Sequence, residues 1–386
     1  MESQDAGRSS LFSQERSLQK MKILFITRKY PPSKGGMETL SYNLTTKYPG
    51  EKKIIPMKEK NQMHLVWFLP YCFFYLLFNS KKIEILHLSD MVLVILGGWI
   101  KKLNNRTKVA INIHGLDVNF SERKGLLAKI YKSYLKLFAK EKNYDLLICN
   151  SHNTEKIAKE NGFSKTTIIP IGVNLKNKMN SCGKEELYKI IGDQYKDKKC
   201  LLTVGRLVKR KGVNWFIDQV MPLIREDAIY LVVGEPDWLK NVASELDLIR
   251  ETIRQNKLEK RVILLGKVSD EKLEILYQTA DLCIMPNIPV IGDSEGFGIV
   301  AIEAAARGLP VVASKLEGIT EAVQDGKNGF LLPPGDAVAF KEKIELLLKE
   351  NRELIRKQAK EFTLENFSWD NLIPKYQIAF KNLCRE

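Results

Sequence analysis

Short, nearly unbroken apolar runs alternate along the chain with longer segments in which apolar and polar residues mix at helical spacing. The first series of runs is KILFIT (22–27), IEILHL (83–88), KVAINI (108–113), DLLICN (145–150) and TTIIPI (166–171). A second series follows: CLLTVG (200–205), IYLVVG (229–234), VILLG (262–266), DLCIMP (281–286) and PVVAS (310–314). A strand that is apolar on both faces needs both faces covered, so this rhythm predicts parallel sheets sandwiched between helices. The lysine-rich stretch 176–199 between the series has the composition of a linker plus one helix. The pattern thus predicts an α/β protein of two doubly wound, Rossmann-like domains, 21–175 and 176–366. Ligands are then expected at the carboxyl ends of the strands, in a central cleft that the two domains face. Residues 367–386 open with FSWDNLIPKYQIAFKNL, a helix-forming tail able to pack on its own domain or back on the first. Residues 1–20 carry no apolar signal core and read as a disordered leader, with the folded chain starting at Met21.

Composition narrows the function classes. A chain of 386 residues exceeds one ordinary core, and 44% hydrophobic with 28% charged residues describes a soluble globular protein. The net charge of +15 fits nucleotide phosphates, an acidic membrane face or nucleic acid, or a lysine-rich surface that is merely solvated. No aromatic-interleaved basic motif of a nucleic-acid module is present, so nucleic acid is not an expected partner. The six cysteines (72, 149, 182, 200, 283, 384) contain no C-x-x-C pair, and the four histidines are scattered. A reducing cytoplasm and no bound metal are expected. The most apolar run, LVWFLPYCFFYLLF (65–78), is too short to span a bilayer and contains Pro70. In KGLLAKIYKSYLKLFAKEK (124–142), helical spacing groups Leu127, Ile130, Tyr131, Tyr134 and Phe138 opposite Lys129, Lys132, Lys136 and Lys140. Such a helix either rests on an anionic membrane, each near-surface lysine contributing about 1 kcal/mol, or packs on the first sheet with solvated lysines.

Four strand-end motifs carry candidate chemistry. TRKYPPSKGGMET places Gly35 and Gly36 before a helical stretch, where main-chain N–H groups can approach an anion or simply turn the chain. INIHGLDVN places His114, Gly115 and Asp117 just past a strand, with His114 able to donate to sugar hydroxyls or phosphate. In LLTVGRLVKRKGVNWFI, Arg206 offers a planar fork to phosphate oxygens and Lys211 a mobile charge, with Lys209 and Arg210 expected to be solvated. The fourth is SEGFGIVAIEAAARG, where Glu295 and Glu303 flank a Gly-Phe-Gly turn that opens a helix, which Gly308 and Pro310 then end. Free N–H groups at Phe297, Gly298 and Ile299 would point at an anion. Glu303, about 6 Å further along the helix axis, would accept both hydrogens of a ribose diol, and Ala301, Ala304 and Ala305 leave room for it. Glu295 would reach the group beyond the phosphates.

With E-x7-E in place, the sequence resembles the retaining, nucleotide-sugar-dependent GT-B glycosyltransferases of family four over nearly all of 21–386. AAARGLPVVAS, EAVQDGKNGFLLPPGD, GGMET, HGLD, CNS, IPIGVN and GRLVKRKG support the resemblance. It implies the GT-B fold and a hexose transfer in which Arg206 and Lys211 hold the donor diphosphate. Phe297 to Ile299 would hold sugar and phosphate through their backbone, Glu303 the ribose, and Glu295 the transferred sugar. Gly36 would close on the diphosphate, His114 would line the reaction centre, and Gly266, Lys267 and Val268 would border the base. VVGEPDW (232–238) departs from the family, which often has a second glycine there. No D-x-D triplet occurs, so no metal cofactor is expected, and the acceptor hydroxyl would attack from the leaving-group side with retention. A lipid-linked or glycan acceptor, at a peripheral position on the inner membrane face, is the expected partner beside the nucleotide sugar. An epimerase on the same fold and a non-catalytic scaffold are the competing readings, and the paired cations with E-x7-E favour transfer.

Overall fold

A computed structural model of the chain describes residues 22–33, 35–58, 62–114, 125–174, 182–225, 227–236, 245–350 and 352–385. The expected leader, 1–20, and Gly115 and Asp117 lie outside the described residues. The chain divides into two compact units, one running to Gly172 and regaining the chain from Trp369 onward, the other Val173–Ser368.

The first unit holds a six-stranded parallel sheet: β1 (Ile23–Thr27), β2 (Lys52–Pro56), β3 (Ile85–Leu88), β4 (Lys108–Ile113), β5 (Leu146–Cys149) and β6 (Thr166–Ile168), in the order 2-1-3-4-5-6. Residues Ile23, Leu24, Phe25 and Ile26 are all at most 2% exposed, as a strand covered on both faces requires. The edge strand β2 (KKIIP) carries two lysines and a proline, which suit an unpaired edge and break the apolar pattern that marks the other strands. The second unit holds β7 (Lys199–Val204), β8 (Ala228–Val233), β9 (Val262–Gly266), β10 (Leu282–Met285), β11 (Val311–Ser314) and β12 (Gly329–Leu332), ordered 12-11-10-7-8-9 and all parallel. Ten of these twelve strands coincide with the apolar runs; β2 and β12 do not.

The helices that position the sites are α1 (Gly36–Lys47), α2 (Leu65–Asn79), α3 (Val94–Leu103), α4 (Leu126–Phe138), α5 (Asp270–Thr279), α6 (Ile299–Ala306), α7 (Arg352–Phe367) and α8 (Trp369–Arg385). Helix α8 belongs to the first unit, where Tyr376 and Phe380 are fully buried and Phe380 packs on Tyr48 and His87. In each sheet the strand order reverses once, between β1 and β3 and between β7 and β10. Loops leaving neighbouring strands on opposite sides of such a point part from each other and leave a crevice at the carboxyl ends. Each crevice is where the chemistry-bearing residues of its unit gather. Both units are thus doubly wound parallel α/β units, as the rhythm of apolar runs predicts.

Candidate active site

In the second unit the loops after β7 and β10 meet at the switch point. β7 ends at Val204, the chain turns at Gly205 and Arg206, and Lys209–Lys211 form a single 3-10 turn closed by Gly212. Gly212 adopts φ +65°, and a Cβ there would stand 1.8 Å from the carbonyl oxygen of Pro286. Only glycine, then, lets these two loops touch. Ile288 N–H donates to the Arg210 carbonyl at 3.0 Å, which fixes the contact.

The turn brings cations onto Glu295. Lys211 Nζ lies 2.8 Å from Glu295 Oε2, and both side chains are little exposed. Arg210 is a correction to the sequence reading: it is buried, not solvated, with Nε 3.2 Å from Asp293 Oδ1 and Nη1 bonded to Glu295 Oε2. Three consecutive cations in one 3-10 turn cannot share a direction. Lys209 points to solvent, and its two successors turn toward the carboxylates of the β10 loop. Burial alone would push the Glu295 carboxyl up, but the charges and hydrogen bonds of Lys211 and Arg210 outweigh it and bring it down to about 2. Glu295 is therefore a fixed anion. Its main-chain N–H is also held, donating to the Glu317 carboxylate from the loop that follows β11.

Past Glu295, Gly298 enters the left-handed region at φ +84° and starts α6. Phe297 turns its ring inward, 2% exposed and edge-on to Phe367 with centroids 5.9 Å apart. What Phe297, Gly298 and Ile299 have left to offer an anion is main-chain N–H. On α6, Glu303 is braced by the Tyr277 hydroxyl from α5, which donates to Oε2 at 3.1 Å. Arg307 donates to the Glu303 carbonyl at 2.9 Å while pairing with Glu274 at 2.7 Å. Burial raises the Glu303 carboxyl, opposed by the Arg307 charge and the Tyr277 bond. A carboxylate on an otherwise apolar helix is thus held in place by a second layer of polar groups. Arg206 is exposed at the carboxyl end of β7, and Val268 is half-buried just past β9.

The two remaining predicted residues stand in the first unit. His114 follows β4, is 7% exposed, and its Nε2 lies 3.1 Å from the Ser89 carbonyl after β3. That acceptor requires Nε2 to carry the proton. Beside it, Arg28 after β1 bonds through Nε to buried Asp90 at 2.9 Å, across the switch point of that sheet. Gly36 is the first residue of α1, and the buried Glu38 of the same turn approaches Lys29 at 3.7 Å. The structure therefore joins Lys211 to Glu295 directly and places Arg206, Val268, Phe297, Gly298, Ile299 and Glu303 at the same carboxyl edge. Arg210, Asp293, Tyr277 and Glu317 were missed as partners. Nothing in KRKG marks which cation turns inward, and tyrosine on an amphipathic helix reads as core. Among the described residues no group of three His, Cys, Asp or Glu side chains is arranged to hold a metal ion.

Comparison with known proteins agrees with this two-unit fold. Residues 18–177 match Glycosyltransferase Family 4, and residues 198–350 match Glycosyl transferases group 1. An uncharacterized glycosyltransferase of Methanocaldococcus jannaschii is 32% identical over 49% of this chain and 47% of its own length. The UDP-Gal:alpha-D-GlcNAc-diphosphoundecaprenol alpha-1,3-galactosyltransferase of Escherichia coli is 25% identical over 69% of this chain and 66% of its own. The match thus spans about half to two thirds of these relatives. HepE of Anabaena, solved with UDP and glucose, superposes with a TM-score of 0.71 at 18% identity, covering 94% of this chain and 99% of that one, which bears on fold alone. With two parallel doubly wound units and family matches across both of them, the chain belongs to the family-four, group 1 glycosyltransferases of the GT-B fold.

Proposed function

We propose that the protein transfers a hexose from a nucleoside diphosphate sugar to an acceptor hydroxyl, with retention of configuration and without a metal. The observation that carries this reading is the Lys211–Glu295 pair at the β7/β10 switch point, with Arg210 behind it. As the anomeric C–O bond to phosphate breaks, negative charge grows on the diphosphate. Arg206, Lys211 and the N–H groups of Phe297 to Ile299 are the groups that stabilise it, in place before the reaction and needing no reorganisation. Glu295, ionised throughout the neutral range, accepts hydroxyls of the sugar and opposes the positive charge developing at its anomeric carbon. The acceptor oxygen forms the new bond from the leaving-group side, and its proton passes to the departing phosphate oxygen. Glu303 takes the ribose diol, and Val268 borders the base. The family resemblance assigns Gly36 to the diphosphate and His114 to the reaction centre.

A lipid-linked or glycan acceptor is favoured. One relative named above is a galactosyltransferase on a diphosphoundecaprenol carrier, and this chain has an apolar surface helix, α2, and a basic amphipathic one, α4, suited to an anionic membrane. No described helix is long and apolar enough to cross a membrane. The test is a panel of nucleotide sugars incubated with and without a chelator, reading nucleoside diphosphate release and the anomer of the product by NMR. Chelator-resistant release with the donor's own anomeric configuration is expected. Inversion, or release that requires a divalent ion, would overturn the mechanism.

A further inference from the structure

The first unit carries a second feature that the sugar chemistry does not use. Helix α2 has no charged residue, and only one of its faces is in the core: Phe68, Cys72 and Leu76 are buried. Trp67, Tyr71, Phe74 and Phe78, at i, i+4, i+7 and i+11, form the opposite stripe and are 56–79% exposed. A soluble protein does not ordinarily leave four aromatic rings in a row in water.

Helix α4 departs from the sequence reading in a related way. It spans Leu126–Phe138 rather than 124–142, and its apolar arc is divided. Tyr131, Tyr134 and Phe138 pack against the core, while Leu127 and Ile130 are 74% and 55% exposed, with Leu126 at 74% and Leu137 at 59%. Lys129, Lys132, Lys136 and Lys140 are exposed as expected. Across both helices there are three lysines and no aspartate or glutamate.

Between α2 and α4, over α3, lies a cavity of about 700 Å³. Phe73 and Trp99, stacked at 3.9 Å, line it with Phe138, and the exposed Phe74 and Leu137 also line it. Three exposed lysines, Lys102, Lys140 and Lys142, border the same apolar space. The Trp99 indole N–H is buried and has no acceptor among the described residues. An apolar slot with lysines at its edge and tryptophan and tyrosine on the surface beside it matches the amphipathic profile of an anionic lipid: chain inside, phosphate at the lysines, interface at the rings.

We propose that this groove is a lipid site, holding one acyl chain of an anionic glycerophospholipid while the α2 stripe rests in the membrane interface. The proposal rests on the membrane reading above and adds to it a defined place and ligand. The indole N–H of Trp99 is a donor that an ester carbonyl of such a lipid would satisfy.

The test uses the full chain with phosphatidylglycerol vesicles whose acyl chains carry a nitroxide at mid-chain, in a Trp67→Phe background that removes the tryptophan exposed among the described residues. Tryptophan emission should be quenched, and the further change Trp99→Phe should abolish the quenching. Leu137→Glu, at a position 59% exposed and lining the cavity, should weaken vesicle binding about tenfold or more and reduce quenching in step, with donor turnover and the far-UV CD melt unchanged. Flotation without Trp99 quenching would overturn the groove site and leave the membrane reading standing. Equal quenching by phosphatidylcholine vesicles would overturn the anionic ligand. No flotation with donor turnover intact would overturn both the site and the membrane reading but not the transferase. A lipid-free dimer that Phe74→Ser dissociates would assign the face to a second copy of the chain instead.

Discussion

Glu295 and Glu303 are two carboxylates of one motif whose environments push them in opposite directions. Glu295 is held near 2 by Lys211 and Arg210 against the effect of its burial, whereas burial raises Glu303. Because the folded Glu295 carboxyl is depressed below its unfolded value, its stabilisation is complete above the ordinary glutamate range. It is lost as pH falls from about 4.5 through about 2. The magnitude is on the order of 3 kcal/mol at neutral pH. Glu295→Gln should therefore flatten the acid limb of a melting-temperature profile; an unchanged limb would mean the ion pairs do not form. Arg210→Met removes one of the two cations and should move that limb to higher pH. Tyr277→Phe tests the brace on Glu303. Losing one hydrogen bond to a carboxylate should raise the donor KM about tenfold with little change in kcat, and should narrow the preference for ribose over deoxyribose donors. Loss of kcat alone would contradict a ribose role.

At the level of elements, the site depends on two loops touching at Gly212. Gly212→Ala would set a Cβ against the Pro286 carbonyl in a left-handed conformation, and we expect a loss of about 2–4 kcal/mol in chemical denaturation together with loss of donor binding. Wild-type stability in this variant would show that the loops can part freely. Elements were legible in the sequence where an apolar run marks a strand: eight of the ten readable strands are buried on both faces, and the edge strands β6 and β9, only partly buried, were readable because their runs, TTIIPI and VILLG, stay mostly apolar. The edge strands β2 and β12 were not: KKIIP mixes edge lysines with a proline, and GFLL lies outside both series of runs. The E-x7-E turn was readable because glycine, a helix stop and two carboxylates fall at fixed spacing. The inward turn of Arg210 was not, since a 3-10 turn and the counter-charges of Asp293 and Glu295 decide it, and those lie more than 80 residues away. The division of the α4 arc was equally hidden, because helical spacing shows which residues share a face but not how much of that face a neighbour covers.

For the whole molecule, both units place polar groups at the carboxyl edge of a parallel sheet where strand order reverses, and the net charge of +15 gives anions a favourable long-range field. A donor that binds only the folded chain should raise its stability by about 2.7 kcal/mol at a concentration one hundred times the Kd, which makes thermal shift a direct screen. That stabilisation should shrink with added salt if the diphosphate contributes most of the affinity, and salt independence would argue for the base or sugar instead. The most direct test of nucleotide-sugar transfer at this site is donor turnover by wild type, Lys211→Ala and Glu295→Gln at neutral pH, with melting temperatures recorded alongside. Turnover is expected to fall by at least about a hundredfold in each variant while the folded state persists. Undiminished turnover in a folded Lys211→Ala or Glu295→Gln protein would contradict it.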